Sequence, residues 1–171
     1  ELVCLSRLPL DYIKKKDGGL RIGASVLVEQ LVESAAVRKY ADGILWECAR
    51  RIGSTLNRNL ISVGGNLIRP FIWSDLSTVA RALKAKIKVE GPEARIIEGE
   101  EFFAQLPAKQ LGPADLVTEI IFPALPTGGR AFFEEFTLTE VDFALLKIAM
   151  VLAGGKSSCR EAVITVGGAT V

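Results

Sequence analysis

Two kinds of apolar spacing run along the chain. Alternation with period two, the mark of a strand with one buried side, predicts strands at 20–24, 87–90, 94–97, 116–122 and 130–138. A short apolar run predicts a further strand at 2–5. Spacings of three and four predict helices instead. One is expected over 25–31, capped by Ser25, and one over 37–52, closed by Gly53. Another runs over 75–84 behind Ser74, with Leu76, Val79, Ala80 and Leu83 on one face, and a short one covers 98–103. The run 143–152 fits a strand paired with 162–166, or a helix.

Punctuation sets the connections. Asp17-Gly18-Gly19 marks a hairpin turn with Lys14, Lys15 and Lys16 in a solvated loop beside it, and Gly91-Pro92 marks a second hairpin. Helices interspersed with hairpins, without a repeating strand–helix unit, predict an α+β fold rather than a doubly wound parallel sheet.

Composition narrows the function. Of 171 residues, 49% are hydrophobic and 24% charged, so the chain can bury a real core, and a net charge of +1 gives no general attraction to nucleic acid or anionic membranes. No stretch has the length and apolarity of a membrane span, and no leader is read at the start. Glu1-Leu2-Val3 reads like the middle of a strand, so a cut edge is expected there. Cys4, Cys48 and Cys159 are scattered, with no Cys-x-x-Cys, so no metal or local iron–sulfur site is expected, and reduced thiols fit a cytoplasmic protein. Histidine is absent, which excludes histidine-ligated metal, Ser-His-Asp and Cys-His catalysis, and a histidine-tethered flavin. No catalytic residue of the chain's own is assigned; cofactor-borne chemistry fits this inventory better.

The segment richest in chemistry is Asn57 onward through Ser62-Val63-Gly64-Gly65-Asn66. Adjacent glycines remove Cβ bulk, so backbone amides around 64–66 can form a cradle for a phosphate. Asn66 and Ser62 add polar side chains, and Asp75 follows at a helix start, where a carboxylate meets a ribose or favours the positive helix end. Val-Gly-Gly-Asn read by itself also fits a plain tight turn. It matches neither a Rossmann nor a P-loop fingerprint. Gly155-Lys156-Ser157 has a P-loop ending, but Met150 stands where the first glycine is required.

With Arg58-Asn59 before it and Ser74-Asp75 after it, Ser62-Val63-Gly64-Gly65-Asn66 resembles the second FAD-binding motif of the flavin subunit of molybdenum hydroxylases, the xanthine and carbon monoxide dehydrogenase type. Gly19-Leu20-Arg21-Ile22-Gly23-Ala24, Glu101-Phe102-Phe103, Leu111-Gly112-Pro113, 116–123 and Asp142-Phe143-Ala144 resemble its other blocks in the same order. The resemblance implies a vanillyl-alcohol-oxidase-like (PCMH-type) FAD-binding domain over 1–128 and the beginning of an α+β C-terminal domain over 129–171. It implies non-covalent FAD held by Ser62, Val63, Gly64, Gly65 and Asn66, with Asp75 facing the adenosine part, Ile52 near the flavin ring and Val117 approaching from the later strand. Arg69 is a weaker candidate.

It further implies a small partner with [2Fe-2S] clusters and a large partner with the molybdenum cofactor, electrons passing through the flavin to NAD, oxygen or another acceptor. The alternative is a nucleotide-binding or assembly module that has lost the flavin. Two departures bear on this: the family's first FAD loop, of Ala-Gly-Gly type, is expected before Glu1, and relatives often carry a lysine near Thr137.

Among the other polar and aromatic residues, Glu134, Glu135, Glu140 and Asp142 are expected on a solvated face, and Arg50 and Arg51 on the surface. Trp46 is expected in the core; Trp73 fits a site wall or a subunit contact.

Overall fold

The computed structural model describes residues 4–70, 74–139, 142–155 and 158–168. Trp73, Glu140, Lys156 and Ser157 lie outside these, as do Leu2 and Val3 of the strand expected at 2–5, whose described residues Cys4 and Leu5 are not in a strand.

The first sheet has five strands in the order β1-β2-β5-β3-β4, all neighbours antiparallel: β1 (Ile13–Lys16), β2 (Gly19–Gly23), β3 (Lys86–Glu90), β4 (Arg95–Glu98) and β5 (Leu116–Phe122). The first hairpin turns on Asp17 and Gly18, both with positive φ (50° and 75°), the geometry that Asp-Gly adopts readily. Lys14, Lys15 and Lys16 are therefore strand residues, not loop. They occupy the sheet's edge, where lysine hinders pairing with other chains. Leu20, Ile22, Ile87, Val89, Ile120 and Phe122 are buried together, each side chain contributing roughly 1.5–3 kcal/mol. The other face is polar. Glu119 accepts hydrogen bonds from Arg21 and from the Tyr12 hydroxyl, both at 2.8 Å.

Among the described residues, six α-helices lie between β2 and β3, and a seventh follows β4: α1 (Val28–Glu33), α2 (Ala35–Lys39), α3 (Ile44–Arg51), α4 (Thr55–Arg58), α5 (Val63–Ile68), α6 (Asp75–Ala82) and α7 (Gly99–Phe102). Two helix expectations change. Ser25 does not cap α1, which begins later, where Leu27 N donates to Gln30 Oε1 at 2.6 Å. The single helix expected over 37–52 is broken in two. Ala41, Asp42 and Gly43 carry φ of 49°, 54° and 81°. Asp42 holds this left-handed turn by accepting from Ala131 N at 3.0 Å and Arg130 Nε at 2.8 Å.

The second sheet has the order β6-β7-β8, again antiparallel: β6 (Arg130–Phe136), β7 (Leu146–Gly155) and β8 (Ser158–Gly167). The ambiguous run 143–152 is thus strand over most of its length. Ala131, Phe133, Ala149, Val151 and Ala153 are buried on one side, against α3 and α6. The α+β expectation holds, with two antiparallel sheets around an intervening helical layer.

Candidate functional site

The end of β2 sets the site. Residues 24–28 run on from the strand, and residues 61–64 lie antiparallel beside them. Ala24 N donates to Thr118 O on β5, and Ala24 O in turn accepts from Gly64 N at 2.9 Å. Val63 N donates to Val26 O at 2.8 Å and Val28 N to Ile61 O at 2.9 Å. This ladder clamps the glycine loop to the central strands. Gly64 is required by the clamp: a Cβ there would lie 2.7 Å from Ala24 Cβ and 2.9 Å from Ala24 O.

Gly65 behaves differently. It is exposed, and an added Cβ would meet a single atom within 4 Å, Ser62 Oγ at 2.8 Å. Ser62 caps α5 by accepting from Gly65 N at 3.2 Å, and Asn66 N donates to Ser62 O at 3.0 Å. The amides of residues 63–66 are all donated within the chain. The amides expected to form a phosphate cradle around 64–66 are thus engaged, and what the loop presents is an open, side-chain-free surface at Gly65, flanked by the Ser62 hydroxyl and by Asn66. The reason is the ladder to residues 24 and 26, which takes up the nitrogens of residues 63 and 64.

Asn66 Oδ1 accepts from Ser74 Oγ at 3.0 Å, so the loop is tied to the residue before α6. Ser74 occupies the cap position without making a side-chain cap bond. Arg69, just beyond α5, is exposed. Asp75 opens α6, yet its carboxylate turns to the second sheet, where Lys147 Nζ on β7 stands 2.6 Å away. Lys147 is fully buried.

Ile52 ends α3, half-buried beside Arg58. The Arg58 guanidinium gathers the carbonyls of Arg50, Ile52 and Gly53 at 3.2, 3.4 and 3.0 Å and pairs with Glu29 at 2.5 Å. It fixes the end of α3 close to the start of the loop segment. Val117 is 3% exposed and packs in the core, on the strand that α5 covers. The structure therefore brings Ser62, Val63, Gly64, Gly65 and Asn66 together, sets Ser74 against them, and places Asp75 and Val117 behind that surface.

Other polar residues of the sequence reading move as well. Glu135 is half-buried, and burial together with the nearby Asp75 pushes its carboxyl above the usual range, so it is not on a solvated face. Arg51 reaches Glu47 at 2.5 Å and Glu135 at 3.8 Å and is mostly covered. Trp46 is half-buried, donates Nε1 to Val32 O at 2.9 Å, and is flanked by Arg38 and Arg50 with their guanidinium carbons 4.8 and 5.4 Å from its centre.

Sequence patterning passed over Thr118. It sits where the register between β3 and β5 shifts, and its Oγ1 is buried without a hydrogen-bond partner among the described residues. Its carbonyl is the one that holds Ala24, so an unmet hydroxyl lies one link from the loop. A groove of about 390 Å³ runs beside α6, bounded by Pro70, Ser77, Thr78, Arg81, Leu106 and Val166. Among the described residues, no helix is long and apolar enough to cross a membrane, and no group of three or more acidic, histidine or cysteine residues is placed to hold a metal.

Residues 1–125 match the model of the FAD binding domain in molybdopterin dehydrogenase. The alpha subunit of the 6-hydroxypseudooxynicotine dehydrogenase complex of Paenarthrobacter nicotinovorans is 30% identical, over 99% of this chain and 58% of that protein. The carbon monoxide dehydrogenase medium chain of Afipia carboxidovorans is 27% identical, over 71% of this chain and 42% of its own length. The chain thus spans about half the length of these relatives. In the solved structures, carbon monoxide dehydrogenase from Hydrogenophaga pseudoflava lacking the Mo-pyranopterin moiety superposes with a TM-score of 0.86 at 24% identity, over 95% of this chain and 57% of that one.

Proposed function

This chain belongs to the family of FAD binding domains in molybdopterin dehydrogenases, and from that premise we propose that it holds the flavin in the medium subunit of a molybdenum hydroxylase. The observation that carries the reading is the contrast within the glycine pair. Gly64 is pressed against Ala24, which fixes the loop, while Gly65 faces outward with no side chain above it. A dinucleotide needs such a place, where backbone can be approached closely. The Ser62 hydroxyl and Asn66 add hydrogen-bonding capacity around it.

FAD, when bound, supplies the electron-accepting and electron-donating chemistry. The chain's own part is to hold and orient. Ser62, Gly65 and Asn66 would meet the diphosphate region, with Val63 and Gly64 shaping the loop beneath. Ile52 would wall the flavin ring, and Val117 would support the site from within the core on β5. Asp75 would act from behind the loop through α6. The unit over 1–128 would form the flavin-binding domain, and 129–171 the start of the following domain. A small subunit with [2Fe-2S] clusters would deliver electrons from a large molybdenum subunit, and NAD, oxygen or another acceptor would receive them. The unpaired thiols of Cys4, Cys48 and Cys159 suit a cytoplasmic, reducing setting.

The internal use of the amides of 63–66 also favours a second reading, a module of the same fold that has lost its flavin. One experiment separates the two. In the assembled complex, Gly65→Leu should cut flavin content by about tenfold or more, because a branched side chain would stand on the open surface. Wild-type complex purified without flavin would select the second reading, and full flavin content in the variant would remove Gly65 from the site.

A further inference from the structure

The fully buried lysine of β7 is the observation that the flavin reading leaves unexplained. Lys147 extends from the inner side of the second sheet to Asp75, the first residue of α6. Space for it is built in. Its register partner on β8 is Gly167, where an added Cβ would lie 3.1 Å from Lys147 Cε and 2.6 Å from Thr78 Oγ1. Its partner on β6 is Glu135, half-buried and facing the same seam. A lone buried charge costs far more than a lone exposed one, so the lysine is held there by its carboxylate. Neighbouring charge is supplied by Arg51, beside Glu135 at 3.8 Å, and the Cys48 thiol lies close by, pushed up by burial.

Asp75 is next in sequence to Ser74, whose hydroxyl donates to Asn66 at the end of the glycine loop. The geometry points to Lys147 as a positioning residue for the flavin site. It fixes Asp75 and the start of α6, and through Ser74 and Asn66 it fixes the face presented by Gly65. Its charge also offsets Asp75 and Glu135, setting the field behind the loop. This rests on the flavin reading of the loop above.

The test uses the assembled complex carrying Lys147→Met, Lys147→Gln and Lys147→Arg. Lys147→Gln keeps a donor for Asp75 without the charge, so it remains informative if Lys147→Met does not fold. Three quantities are read: the flavin dissociation constant, the midpoint potential of the bound flavin, and the unfolding midpoint of the flavin-free protein. The expected result is about a tenfold weaker flavin affinity and a more negative potential in Lys147→Gln, with Lys147→Arg restoring both to near wild type. Unchanged affinity and potential in Lys147→Gln, in a wild-type background that binds flavin, overturn the inference and leave the flavin reading standing. So does a fall in unfolding midpoint with the potential unmoved, or a failure of Lys147→Arg to restore it. Wild-type complex without flavin overturns both.

Discussion

In the five-stranded sheet the apolar side faces the helices and the charges face away; in the three-stranded sheet the arrangement is partly reversed. Arg21 and Glu119 pair on the outer face of the first sheet, with Tyr12 alongside. The second sheet carries Lys147 and Glu135 on its inner side, and its outer side shows Phe132, Ile148, Ile164 and Val166. The register aligns Phe132 with Met150 and Ile164, and Ile148 with Val166, so these form continuous apolar rows. The first sheet thus follows the ordinary rule of an antiparallel layer with one wet face. The second departs from it where it meets α6, the helix that opens with Asp75. Charges placed inside at a cost in desolvation mark the seam with the proposed site.

Three measurements break or sharpen this contrast. The largest effect is expected from Glu119→Ala, which removes the shared acceptor of Arg21 and Tyr12 at a buried position. It should lower stability by about 1–3 kcal/mol in urea unfolding. A change near zero would show that the outer charges of the first sheet are ornamental to folding. Next comes the pH response of Tyr12. Burial, then its hydrogen bond to Glu119, push its phenol up to about 12. The folded pKa lies above the unfolded value of about 10, so the stabilisation is complete below that pH and is lost as pH rises through about 12. Ultraviolet titration of the phenol should give a high value in wild type and a lower one in Glu119→Ala; equal values would remove the coupling. The smallest effect is expected on the second sheet's outer face. Ile164→Thr should change stability by less than about 0.5 kcal/mol, since the side chain is 59% exposed. A loss of several times that would mean that the apolar rows are covered in the intact protein.

Much of the first sheet was legible because alternation at 20–24, 87–90 and 116–122 reports burial directly. The strand over β7 was legible only as one of two choices, since a short apolar run fits either structure. The break in the helix at 41–43 was not legible. Its cause is the bond from Asp42 to Arg130 and Ala131, far along the chain. The same holds at the site. Gly64-Gly65-Asn66 announced a close backbone approach, but that Gly64 approaches Ala24, and that its amide is thereby consumed, depends on a strand end remote in sequence. Lys147 left a faint signal, a single charge in an alternating apolar run, and its partner Asp75 read more simply as a helix-start carboxylate. Local pattern fixes which side of an element is buried; it does not name the partner that a polar group meets there.

The left-handed turn at Ala41, Asp42 and Gly43 bears on how the molecule assembles. A non-glycine residue at positive φ is held there only by surrounding contacts, and here the contact is the first two residues of β6. The turn and the start of the strand therefore share one carboxylate, and removing it, as in Asp42→Ala, would release both the left-handed turn and the first residues of β6.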